Sequence, residues 1–256
     1  MGAALAKSGE AFHILQGAWK GWLMSVQDKA IELYYWPTPN GWKVTILLEE
    51  LGVPYRVNYV NIGQGEQFEP SFLAISPNNR MPAIIDPEGP GGEPISVFES
   101  GAILQYLGRK FAQFYPTDER ARVEVDQWLF WQMGGLGPMA GQAHHFRQYA
   151  PEQVPYAIDR YTNEVNRLYG VMNRRLAGRA FLAGDYSIAD MACFGWVKPH
   201  KNQGQDLADF PDLKRWFETL LARPAVARGC EIGIEYRKTL GDDKDAQKVL
   251  FGQKAR

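Results

Sequence analysis

The sequence predicts a small α/β domain followed by an all-helical one. Strand-like and helical segments alternate between residues 30 and 113, and beyond Tyr115-Pro116-Thr117-Asp118 the remaining periodicity is helical. Length and composition agree: 256 residues accommodate two modest domains, and at 45% hydrophobic and 22% charged the chain can fill their cores. The expected division is an extension over residues 1–29, the α/β domain over 30–113, the helical domain over 120–238 and a polar, frayed tail over 239–256.

The elements follow in order. Ile31 to Tyr35 is a short β-prone run, stopped by Pro37 and Pro39. From Gly41 the period changes: Val44, Leu47, Leu48 and Leu51 fall on one helical face, and the helix ends before Gly52 and Pro54. Tyr55 to Val60 is strand-like again, and Phe68 to Ile75 is a short helix. Two brief strands, near 83–85 and 95–98, flank a Gly/Pro-rich turn from Glu88 to Pro94. Ser100 to Phe111 is helical, with Ile103, Leu104 and Leu107 as its buried stripe. A βαβ opening implies a parallel pair with a right-handed crossover, whereas the tight turn makes the closing pair antiparallel. This mixed sheet has the order of a thioredoxin-like domain.

In the second half, residues 120–133 are helical and rich in Trp128, Phe130 and Trp131. Between Pro155 and Leu176 a stripe of Ile158, Tyr161, Val165, Leu168 and Met172 holds for several turns. Ser187-Ile188-Ala189-Asp190 has the form of a capping box and opens an apolar helix through Trp196; Phe210 to Leu221 adds another. In the extension, Phe12, Leu15, Trp19, Trp22 and Leu23 recur at helical spacing, so it reads either as an amphipathic docking arm or as an upstream segment with little structure.

Charge and cysteine content narrow the function. With 28 basic against 29 acidic residues, the chain lacks the electrostatic footprint of a dedicated nucleic-acid binder. No stretch approaches the ~20 apolar residues of a membrane span. Two cysteines, Cys193 and Cys230, are too few for a disulfide scaffold and suit a reducing compartment, so a cytoplasmic location is expected.

Four places can carry chemistry. At the turn Pro37-Thr38-Pro39-Asn40-Gly41, a redox-active thioredoxin-like domain would hold Cys-x-x-Cys; here Thr38 and Gly41 occupy those positions. Any sulfur chemistry must therefore use a thiol brought by a ligand. Thr38 and Asn40 could donate hydrogen bonds to it and favour its thiolate, or serve only as an N-cap and a turn former. Tyr34 and Tyr35 compete for that role, but alternation sends them to opposite faces of the sheet. The bond from Met81 to Pro82 is either an ordinary turn or a cis bond that frees the Met81 backbone to pair with an extended peptide. Glu99 and Ser100, at a helix N-terminus, either match the ammonium and carboxylate of an amino-acid head or form an ordinary cap. The run Gly134 to Met139, followed by His144 and His145, fails as a P-loop and as a metal pair, and reads as a helix break lining a cleft. No metal is expected.

These segments resemble the cytosolic glutathione transferases, and among them the bacterial Nu class, the glutathione-dependent disulfide-bond oxidoreductases related to Ure2. The resemblance runs from about Ile31 to Pro224. It rests on Pro37-Thr38-Pro39-Asn40-Gly41-x-Lys43, Ser76-Pro77-Asn78-Asn79-x-x-Pro82-Ala83, Phe98-Glu99-Ser100-Gly101-Ala102-Ile103-Leu104, Trp128-Leu129-Phe130-Trp131-Gln132 with Gly134 to Met139, His144-His145-Phe146, and Ile188-Ala189-Asp190.

The resemblance implies that Thr38 and Asn40 hold the glutathione sulfur and that Gln67 contacts the glycyl end. Met81, before a cis Pro82, would pair its backbone with the cysteinyl residue, and Glu99 and Ser100 would hold the γ-glutamyl ammonium and carboxylate. Arg160 would reach glutathione from the neighbouring subunit of a homodimer. Met81 stands where Ile is common, a tolerable change because the backbone makes the contact. Glutathione is then the co-substrate, and the expected activity is disulfide-bond reduction. The alternatives are cleavage of aromatic, lignin-derived glutathione thioethers, for which Trp42, Trp128, Trp131 and Tyr161 are candidate contacts, and a non-catalytic glutathione-binding module.

Overall fold

A computed structural model describes residues 29–238 and 243–254. The amphipathic arm considered over 1–29 lies, but for its last residue, outside the described residues.

Alternation of side chains organises the first half. Strand β1 (Ile31–Tyr35) turns Ile31, Leu33 and Tyr35 into the main core, while Tyr34 packs on Phe72 on the other face. Helix α1 (Pro39–Leu51) follows, capped by Thr38 and closed by Gly52, whose φ of 64° is the left-handed conformation that glycine adopts without a Cβ clash. It is buried from Gly41 through Leu48. Strand β2 (Tyr55–Tyr59) pairs parallel to β1, as the βαβ pattern requires. A 3₁₀ turn at Glu66–Phe68 and the single-turn helix α2 (Pro70–Leu73) lead to β3 (Ala83–Asp86) and β4 (Ile95–Phe98). Both later pairings are antiparallel, and the four-stranded order is β2-β1-β3-β4. Helix α3 (Ser100–Lys110) ends this thioredoxin-like half.

The second half is helical: α4 (Glu119–Trp131), α5 (Gly137–Gln148), α6 (Pro155–Leu176), α7 (Ile188–Val197), α8 (Pro211–Leu221) and α9 (Pro224–Glu231). The expected helix break at the glycines is absent. Residues Gln132–Leu136 form a π turn that carries α4 into α5, and its extra residue buries the Gln132 side chain instead of interrupting the helix.

The two halves share one continuous core, in which Leu33, Leu47 and Ile103 belong to the same cluster as Leu168, Phe194 and Trp216. Close backbone approach makes this possible. A Cβ on Gly229 of α9 would stand 2.8 Å from the backbone nitrogen of Ile46, and the Thr45 hydroxyl donates to the Gly229 carbonyl at 2.8 Å. On the other side of α1, a Cβ on Gly195 of α7 would stand 2.4 Å from the Pro39 carbonyl oxygen.

The tail also differs from expectation. Helix α10 (Lys244–Phe251) forms there, with Asp243 accepting from the backbone N–H groups of Asp245 and Ala246. Its polar composition conceals a short stripe at Ala246, Val249 and Leu250. Ala246 lies against Gly63, and Phe251 packs edge-on to His145 with ring centroids 4.5 Å apart. Among the described residues, no helix is long and apolar enough to cross a membrane.

Candidate active site

Thr38 is the first side chain of the site. Its extended backbone (φ −123°, ψ 164°) ends β1 and starts α1, and its Oγ1 accepts from the Gly41 N–H at 3.2 Å. The capping role considered above is thus real, and it leaves the hydroxyl proton free for another acceptor. In this structure that acceptor is the Met81 sulfur, at 3.6 Å.

Asn40 is fixed by a residue far away in sequence. The indole N–H of Trp196, on α7, donates to Asn40 Oδ1 at 2.9 Å. An indole nitrogen can only donate, so the oxygen of the amide is committed and its NH₂ is the end left for a ligand. Gly195 lets Trp196 come this close, because any side chain there would meet the Pro39 backbone.

Thr38 and Asn40 line a cleft of about 370 Å³ together with Gln67, Met81, His144, Tyr149, Trp196 and Phe251. Gln67 is buried; its amide donates to the Ile62 carbonyl at 3.2 Å and its Oε1 has no partner. Met81 is joined to Pro82 by a cis bond and stands just ahead of the β3–β4 ladder, which begins at Ala83. Glu99 and Ser100 are reached through a smaller adjoining cavity of about 280 Å³, which shares Asn40 and Trp196 with the cleft. Glu99 has φ 69°, a left-handed value that a non-glycine residue holds only under constraint, and its carboxylate accepts from Asn78 at 3.1 Å.

The other candidates fall elsewhere. Arg160 is exposed on the first turns of α6, 3.9 Å from Glu164, and does not line the cleft of its own chain. The four aromatic candidates do not line it either. Trp42 is buried in the core beneath the guanidinium of Arg237, because its position on α1 faces the helical half. Trp128 and Trp131 pack edge-on to each other, and Tyr161 stacks on Phe146. The aromatic walls are instead His144, His145, Tyr149, Trp196 and Phe251. Tyr35 is removed from contention: its hydroxyl donates to the Ile232 carbonyl, and burial pushes its pKa well up.

Burial and the Arg237 charge push His144 down to about 4, so it stays neutral at ordinary pH. Among the described residues, no group of three or more His, Cys, Asp or Glu could hold a metal ion. Cys193 and Cys230 are both buried and unpaired, and burial raises both thiols, Cys230 to about 11.

Nothing in the sequence singles out Trp196 or Phe251 of α10, whose roles depend on tertiary approach. Lys43 carries a signal of its own in the sequence. It lies in register with Ile46 and Leu47 on a buried helix, a place where a lysine needs a reason.

Comparison with known proteins fits this geometry. Residues 29–109 match the family described as glutathione S-transferase, N-terminal domain, and residues 138–224 match glutathione S-transferase, C-terminal domain. The chain is 50% identical over 216 residues to the disulfide-bond oxidoreductase YfcG of Escherichia coli (strain K12), covering 84% of this chain and 98% of that protein. It is 43% identical to the disulfide-bond oxidoreductase YghU of the same organism, covering 80% of this chain and 76% of that one. A glutathione transferase from Pseudomonas putida, solved with one glutathione disulfide bound per subunit, superimposes with a TM-score of 0.78 at 43% identity, covering 83% and 95% of the two chains. Another from Burkholderia graminis, solved with two glutathione molecules per subunit, gives 0.76 at 44% identity, covering 83% and 91%. The chain therefore belongs to the glutathione S-transferase family.

Proposed function

We propose that this protein uses bound glutathione to reduce disulfide bonds. The observation that carries the reading is a pair of residues with hydrogen-bond donors, Thr38 and Asn40, at the N-terminus of α1 in a cleft that no protein thiol lines. Donors and the helix N-terminus both favour a thiolate over a thiol. The relatives named for this chemistry and the neighbours solved with glutathione support it.

The thiolate of one glutathione attacks a sulfur of the substrate disulfide, forming a mixed disulfide and releasing one substrate thiolate. A second glutathione thiolate attacks the glutathione sulfur of that intermediate, forming glutathione disulfide and releasing the second substrate thiolate. The two thiolates take up the protons given by the two glutathiones. Gln67 Oε1 is positioned to accept from a peptide N–H, and the Met81 backbone pairs with the cysteinyl residue. Glu99 and Ser100 hold the γ-glutamyl head.

The chain works as a homodimer in this reading. Val123 and Phe130 lie seven residues apart on α4, both exposed, and Phe98 is exposed on edge strand β4. Arg160 is exposed and would exchange its 3.9 Å pairing with Glu164 for a reach across such an interface. Two unpaired buried cysteines support a reducing, cytoplasmic compartment.

Purified protein assayed with glutathione and 2-hydroxyethyl disulfide, coupled to glutathione reductase, should turn over between about pH 6 and 9. Changing Thr38 and Asn40 together to Ala should displace the acid limb of the rate profile toward higher pH, by about 1 unit. Bound glutathione with a background rate would reject the reductase reading in favour of thioether cleavage or binding alone.

A further inference from the structure

Lys43 lies at the floor of the cavity that contains Ser100. It is buried, and no carboxylate among the described residues comes within ion-pair distance of its Nζ. Its partners are neutral: Gln132 Oε1 at 2.7 Å, Ser100 Oγ at 3.4 Å and Met133 Sδ at 3.5 Å. A buried cation without a counterion is costly, so such sites ordinarily supply one. A second observation has the same sign. Gln132 lines the same cavity, and its amide NH₂ is buried and has no acceptor. An ammonium and an unsatisfied N–H on two residues of one cavity point to an anion.

Ser100 links the two. An ammonium can only donate, so the Ser100 oxygen accepts from Lys43 and its proton is left to donate, here only to the Met133 sulfur at 3.8 Å. A hydroxyl polarised in this way is a stronger donor to a carboxylate at the N-terminus of α3.

We propose that Lys43 is a positioning residue that supplies, through Ser100, the buried positive charge for the γ-glutamyl carboxylate. This rests on the glutathione reading above. The charged and titratable groups facing Lys43 are Glu99 at the start of α3 and Cys193 on α7; Gln132, Met133 and Ser100 complete its surroundings. Burial brings the Lys43 ammonium down to about 7 in the free protein. A carboxylate beside Ser100 raises it again, so ligand binding takes up a proton. The Lys43 contribution to affinity is full below about pH 7 and fades as pH rises through the higher, ligand-bound value.

The test uses calorimetry with S-methylglutathione, which has no thiol to titrate, and with the analogue in which 4-aminobutanoyl replaces γ-glutamyl and so lacks the carboxylate. In wild-type protein at about pH 8, S-methylglutathione should draw protons from the buffer, seen as heats that differ between buffers of unlike ionisation enthalpy, and the analogue should not. Lys43→Met should weaken S-methylglutathione about tenfold and leave the analogue unchanged. Equal weakening of both ligands, no weakening of either, or equal proton uptake with both would overturn the assignment. If the wild type binds the analogue but not S-methylglutathione, the assignment also fails. If wild-type protein binds neither, the glutathione reading itself falls, and this inference with it.

Discussion

Asp190 shows how much one buried side chain can hold. Its Oδ1 accepts from the Leu182 N–H at 3.0 Å and from the Trp216 indole at 2.9 Å, and its Oδ2 accepts from the Ser187 N–H at 3.1 Å. Burial raises its carboxyl to about 6 despite these bonds. Asp190→Ala strands four buried donors, the fourth being the Ser187 hydroxyl at 3.2 Å, and urea unfolding should report a loss of ~3 kcal/mol. This residue was legible in advance, because Ser-x-x-Asp before an apolar run has a local meaning. Thr38 and Ser100 were legible for the same reason, each standing where a helix must begin. Trp196 and Gln132 were not: their importance comes from partners 156 and 89 residues away, Asn40 and Lys43. The misplaced aromatics have a related cause. Composition reports that an aromatic is present but not which side of its helix faces a cleft, and Trp42 faces the core.

Among the elements, α7 carries the site from behind. Every residue from Ile188 to Gly195 is buried, and Gly195 sets its distance from α1. Gly195→Ala places a methyl group 2.4 Å from a backbone oxygen that cannot yield cheaply. The expected result is a loss of ~1–3 kcal/mol in urea unfolding and a rise of several fold in KM for glutathione, as Trp196 withdraws from Asn40. Strand positions and most helix positions could be read from hydrophobic period, since each element must bury one face. The π turn, α5, α9 and α10 could not. A glycine run is compatible with either a break or a wider turn, and a helix of 8 residues leaves too little apolar pattern to detect.

At the scale of the molecule, one core joins the sheet to the helices, with α1 clasped between α7 and α9. The reactive turn is therefore held by both halves of the chain. Neither cysteine lines the cleft, so a variant with Cys193 and Cys230 both changed to Ala should keep its turnover within about twofold of wild type while losing ~1–2 kcal/mol of stability. A dead but folded double variant would show that the protein supplies its own nucleophile. With Thr38 in place of a cysteine, the scaffold is also spared a particular kind of ageing. Peroxide that carries a reactive sulfur beyond the sulfenic stage destroys an enzyme built around its own cysteine. Here the spoiled atom would sit on a small peptide that diffuses away, and the next molecule to bind would restore the site.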